Sequence, residues 1–97
     1  MFRFSIDRAS AERANKEQLA SHDVGPDEDW EEGLRDTGDY RDEEAYFRAD
    51  TTTPSSVEEA VSYVQGLFFT TPERVWIGDD VHEIDQATAN RAHKAST

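Results

Sequence analysis

The chain opens on an alternation. In "FRFSID" the apolar Phe2, Phe4 and Ile6 take turns with Arg3, Ser5 and Asp7, the period of a strand with one buried face. "SAERANKEQLASH" drops that period and is rich in helix formers, with Glu12 four residues before Lys16 and Ser10 placed as a cap. Its apolar face is thin, resting on Ala14 and Leu19, so the pattern predicts a helix lying on the surface. After "VGP" a short helix is predicted, with Pro26 in its first turn and Trp30 and Leu34, four apart, anchoring one side. Asp27, Glu28, Glu31 and Glu32 are expected to point largely outward, where acid in the first turn suits the helix dipole. "DTGDYRDEE" reads as a turn-rich bridge and "AYFRA" as a second strand, with Phe47 on one face and Tyr46 and Arg48 on the other.

The strongest helical signal follows "TTTPS". Ser56 and Glu59 have the spacing of a capping box, and Val57, Ala60, Val61, Val64, Leu67 and Phe68 recur at steps of three and four, one continuous apolar stripe. Thr70, Thr71 and Pro72 end it. "RVWI" and "VHEI" around "GDD" read as a hairpin of two short strands whose turn type the sequence leaves open. "DQATANRAHKAST" begins a helix with Asp85 as cap, but it has only alanines to pack, so the last ten or so residues are expected to fray. This order of elements predicts one α+β domain over residues 1–97, a mostly antiparallel sheet of three to four strands with helices packed on one face.

Size and composition narrow the class. A chain of 97 residues holds one small core, and ten aromatics among 33% charged residues still give it the means to fold. With no cysteine there is no disulfide frame or thiolate metal site, and the charged start "MFRFSIDRAS" lacks a signal-peptide core. A cytoplasmic protein is expected, monomeric by default, with no apolar run fit to span a membrane.

Charge adds the informative feature. The net charge is −12, and residues 23–44 hold 11 acidic side chains against Arg35 and Arg41 alone. Residues 1–22 are net positive by one. A field of this sign repels nucleic acid and anionic membranes, so neither is expected as a direct partner; the natural partner is basic.

The chain offers no catalytic signature. No register of the acidic stretch meets the EF-hand pattern: starting at Asp27 puts Glu32 where glycine is needed and Gly38 where the closing glutamate belongs. His22, His82 and His93 are scattered, without the paired spacing of a zinc site. There is no nucleophile elbow and no glycine-rich phosphate loop, and among 22 carboxylates any two can be paired, which selects none. The expectation is a non-enzymatic protein without metal or cofactor. Phe2, Phe4, Phe47, Phe68 and Trp76 could stack bases only beside a positive groove, which ten basic residues against 22 acidic ones do not supply; they read as core. Trp30 and Tyr40, set inside the acidic stretch, are either local packing or anchors at an interface.

Three readings fit the acidic stretch. It can be a solvated face kept for solubility. It can be salt adaptation, for which eight arginines against Lys16 and Lys94 also speak, although a positive first segment does not. Or it can imitate nucleic acid, carboxylates standing where phosphates would on a basic surface: side chains three or four apart on a helix lie about 5–6 Å apart. For that role the candidates are Asp27, Glu28, Glu31 and Glu32, continued by Asp36, Asp39, Asp42, Glu43 and Glu44, with Trp30 as anchor.

In size, charge, lack of cysteine and α+β layout the chain resembles the small acidic DNA-mimic inhibitors of phages and mobile elements, in particular anti-CRISPR proteins acting on type I surveillance complexes. The resemblance implies an inhibitor that sits in the basic DNA-binding channel of Cas proteins, in a bacterial cytoplasm, and keeps target DNA out. Other members of that loose group act on restriction or repair enzymes. The alternative is an acidic accessory or antitoxin-like module that binds a basic protein without imitating DNA.

Overall fold

The alternation in the first residues becomes β1 (Phe2–Asp7), the central strand of a five-stranded antiparallel sheet. The computed structural model describes the backbone of residues 1–96 and the side chains of residues 1–91. After β1 come α1 (Arg8–Arg13), α2 (Lys16–Ser21), β2 (Val24–Pro26), α3 (Glu28–Thr37), β3 (Glu44–Ala49), α4 (Val57–Phe68), β4 (Arg74–Ile77), β5 (Asp80–Glu83) and α5 (Gln86–Ser96). The strand order is β2-β3-β1-β4-β5. The α+β class holds, with five strands where three to four were expected.

Period-two alternation gives the sheet two unlike faces. On the first, Phe4 stands opposite Phe47 on one side and Val75 on the other, and the rings of Phe4 and Phe47 stack with centroids 5.7 Å apart. The stripe of α4 closes over them: Ala60, Val64 and Phe68 are buried in the same cluster, and Phe68 meets Phe47 edge-on at 5.0 Å. Leu19 from α2 and Val24 complete it. Ser56 caps α4 by accepting the Glu59 N–H at 3.2 Å, and the Glu59 carboxylate accepts the Ser55 N–H at 2.8 Å. The box is therefore present, displaced by one residue on its return bond.

The second face, expected to lie bare, is covered by α3. Trp30 and Leu34 of that helix pack with Tyr40 on Tyr46 and Trp76 in a separate apolar cluster, and Trp30 meets Trp76 edge-on at 5.8 Å. Helices thus lie on both faces, and the residue pair that anchors the acidic helix is what seats it there.

Three further differences are local. The expected helix over residues 10–22 is broken in two, because Ala14 is extended and Asn15 turns its side chain to cap α2, accepting the N–H groups of Glu17 and Gln18; Asp7 rather than Ser10 caps α1. Pro26 lies in an edge strand rather than a first helical turn, and Asp27 is the cap of α3. The hairpin closes with Ile77 opposite Asp80, and Gly78 at φ 62° supplies the left-handed position its two-residue turn needs. Asp85 does cap α5, accepting the Thr88 N–H at 2.8 Å, and Ala89 is buried. The expected fraying of the last residues falls largely outside the described side chains.

Phe69 follows α4 in the left-handed conformation, φ 56°, with its ring 86% exposed. A residue with a Cβ pays about 1–2 kcal/mol there, and glycine pays nothing. Phe69→Gly is expected to raise stability by ~1 kcal/mol, moving the thermal midpoint up by roughly 4–8 °C. A midpoint that falls instead would mean that the exposed ring contributes packing worth more than the strain.

Candidate partner-binding face

The acidic segment separates into two sets, one turned in and one turned out. Asp27 caps α3 by accepting the Trp30 N–H at 3.1 Å, and its other oxygen accepts from Arg3 Nε at 2.9 Å. Arg3 also lies over the Trp30 ring, 4.5 Å from its centroid. Glu31 takes Arg8 at 3.2 Å and Arg35 at 3.4 Å. These ties bind α3 to β1 and to the start of α1, so the net-positive first segment supplies the cations that hold the acidic helix down.

Glu44 is drawn furthest in. It is 2% exposed, beside the also buried Arg74, with Arg74 Nη2 to its carboxylate at 2.6 Å. The Tyr46 hydroxyl donates to the same carboxylate at 2.8 Å and accepts the Arg41 backbone N–H at 2.8 Å. Ser5 stands between Tyr46 and Arg74 in the sheet row, and its small side chain leaves the space across which Arg74 reaches β3. Burial pushes the Tyr46 phenol above its ordinary value of 10.0.

The outward set lies on the opposite side of α3. Trp30, Leu34 and Thr37 fall on one flank at 100° per residue, which places Glu32 at the centre of the other flank, with Glu28, Asp36 and Asp29 around it. All four are exposed, and none is paired with a cation among the described residues. Glu28, Glu32 and Asp36 form a row with a spacing of about 6 Å along the axis. Asp39, Asp42 and Glu43 extend the exposed acid along the bridge. That bridge is held by its backbone: Arg74 donates to the Asp39 carbonyl at 3.0 Å and Arg8 to the Asp42 carbonyl, while Arg8 also meets the Tyr40 hydroxyl at 2.7 Å.

Of the ten residues singled out from the sequence, Glu28, Glu32, Asp36, Asp39, Asp42 and Glu43 are thus exposed, whereas Asp27, Glu31, Glu44 and Trp30 are engaged inside. The expectation that Asp27 and Glu31 point outward is corrected: each is half-buried against an arginine. Trp30 serves as local packing. Asp29 was absent from the candidate set, although the same helical arithmetic places it on the outward flank. Among the described residues no group of three or more histidine, cysteine, aspartate or glutamate side chains is arranged to hold a metal ion, and no helix is long and apolar enough to cross a membrane. Neither a family model, a curated protein nor a solved structure matches the chain.

Proposed function

We propose that the protein is an inhibitor that imitates nucleic acid, presenting the outward flank of α3 and the following bridge to the basic DNA-binding surface of a CRISPR surveillance complex. The observation that carries the reading is the sorting of the acid. Cations of the chain itself neutralise Asp27, Glu31 and Glu44, while Glu28, Asp29, Glu32, Asp36, Asp39, Asp42 and Glu43 are left exposed and without a partner cation among the described residues. Acid kept only for solubility needs no such separation of paired from unpaired groups. Mechanistically the reading asks only for occupancy: arginines and lysines that would hold phosphates hold carboxylates instead, and target DNA finds the channel filled. The choice of a CRISPR complex over restriction or repair enzymes rests on the resemblance in size, charge and layout.

The test is a gel-shift competition. The purified protein is added to a type I surveillance complex before its labelled target duplex, at several salt concentrations. Loss of the shifted band that fades as salt rises is expected. An unchanged band overturns this target, and inhibition that ignores salt overturns mimicry itself.

A further inference from the structure

We propose that the protein forms a two-fold dimer in which Phe69 of each copy enters a cleft beside Phe69 of the other. The inference is independent of the mimic reading and replaces the monomer expected by default. It starts from a residue that is doubly unfavourable in the free chain. Phe69 ends α4 in the left-handed conformation, φ 56°, where glycine is the unstrained choice, and its ring is 86% exposed, so it returns next to no packing to its own core. Residues other than glycine held in that conformation cluster at sites that bind or switch. Met1 and Val81, the other large apolar residues exposed among the described ones, are each about half covered.

The cleft lies next to the projecting ring. It measures about 250 Å³, and its lining includes Arg13, Ala14 and Gln18 around the junction of α1 and α2 and Leu67, Phe68 and Phe69 at the end of α4. A projection and a recess side by side on one face are what an isologous contact requires: a two-fold axis between them sends each ring into the other copy's recess and buries both at once. The recess suits a phenyl ring. Ala14 and Leu67 supply apolar wall, and the Arg13 guanidinium supplies a cation for the ring's face. Arg13 is held there by donating to the Ser10 hydroxyl at 3.2 Å and enters no salt bridge among the described residues. Charge selects the occupant. Over residues 10–18 Arg13 and Lys16 balance Glu12 and Glu17, so this face attracts neither a strongly acidic nor a strongly basic partner, whereas a second copy meets it with the same cancelled charge. The exposed acid of α3 stands on the other side of the sheet. The molecule is 25 Å across in its thinnest direction, well beyond the screening length of about 8 Å at physiological salt, which leaves the two acidic flanks little mutual repulsion.

The test is sedimentation velocity of the purified protein over a range of concentrations and salt. A dimer is expected to appear between roughly 10 μM and 1 mM and to strengthen as salt rises, because screening relieves the repulsion between two chains of net charge −12. Phe69→Gly, expected above to be the more stable chain, should dimerise at least about tenfold more weakly, a loss of ~1.4 kcal/mol or more. Gln18→Trp fills the recess from an exposed position on α2 and is expected to weaken the dimer equally with Phe69 still in place. A parent that stays monomeric at the top of the range overturns the proposal, as does either variant associating as well as the parent. Growth into species beyond the dimer, the mark of a head-to-tail contact that does not close, overturns it too. Should Gln18→Trp misfold, Phe69→Gly alone decides, since its folding is checked by its thermal midpoint in dilute solution. The assay contains no DNA-binding protein, so its failure and that of the mimic reading are separable.

Discussion

Arg74→Ala is expected to lower the unfolding free energy by about 3–5 kcal/mol, the cost of leaving a buried carboxylate without its counter-charge. Glu44 would keep its place at 2% exposure with only the Tyr46 hydroxyl and the more distant Arg41, 3.9 Å away, as partners. Small domains hold only about 5–15 kcal/mol in total, so denaturant titration should find the variant near its threshold. The double replacement Arg74→Met with Glu44→Leu removes both charges and is expected to recover most of the loss, because an apolar pair of similar volume needs no solvation. A single variant within ~1 kcal/mol of the parent would mean that water reaches Glu44. The same cluster sets an alkaline limit. Burial raises the Tyr46 phenol above 10.0, so its contribution is complete below that pH and is lost as pH climbs through its folded value. Phenolate absorbance should lag accordingly and stability should fall with it; flat stability across the alkaline range would contradict this.

The second large effect concerns the outward flank. On the proposed reading, Glu28→Lys, Glu32→Lys and Asp36→Lys together would replace three attractions to a basic channel by three repulsions. At exposed positions each swing is worth on the order of 1 kcal/mol, so inhibition in the competition assay should weaken by roughly 10²–10³. The three side chains are exposed and hold no partner cation among the described residues, so the fold should persist, which circular dichroism checks. Salt gives a finer test. A duplex carries a charge every 3.4 Å along each strand, whereas the row on α3 offers one every ~6 Å. Fewer counterions are released, and the inhibitor's affinity should fall less steeply with salt than that of DNA on the same surface. A reversed variant that competes as well as the parent would remove the flank from the mechanism.

Much of the architecture was legible because the apolar periods are clean. The first strand, Glu44–Ala49, the stripe of α4 and the hairpin all announce themselves by alternation or by steps of three and four. β2 did not, since three residues ending in Gly25 and Pro26 have no period and read as a linker. The covered second face was missed for a different reason. Ser5, Tyr46 and Arg74 look like solvent-facing residues one by one, and it takes the cover of α3 and the pairing of Arg74 with Glu44, 30 residues away, to make them interior. The same holds for the candidate face. The crowding of acid is plain in the sequence, but which members are spent internally depends on Arg3 and Arg8, which lie 24 and 23 residues from Asp27 and Glu31. No local pattern encodes a partner at that distance. Asp29, by contrast, needed only the angle of a helical wheel.

The uncompensated row on α3 has a cost to the fold as well. Like charges four apart on a helix repel by a few tenths of a kcal/mol per pair, and Glu28, Glu32 and Asp36 supply two such pairs, while the inner ties through Asp27, Glu31 and Glu44 are partly or wholly shielded from solvent. Added electrolyte therefore quiets the repulsion more than it loosens the ties, steadying the free protein under the very conditions that, on the proposed reading, would loosen its hold on a basic channel. Dilute medium does the reverse: the molecule is at its most strained when alone and has the most to gain from being bound.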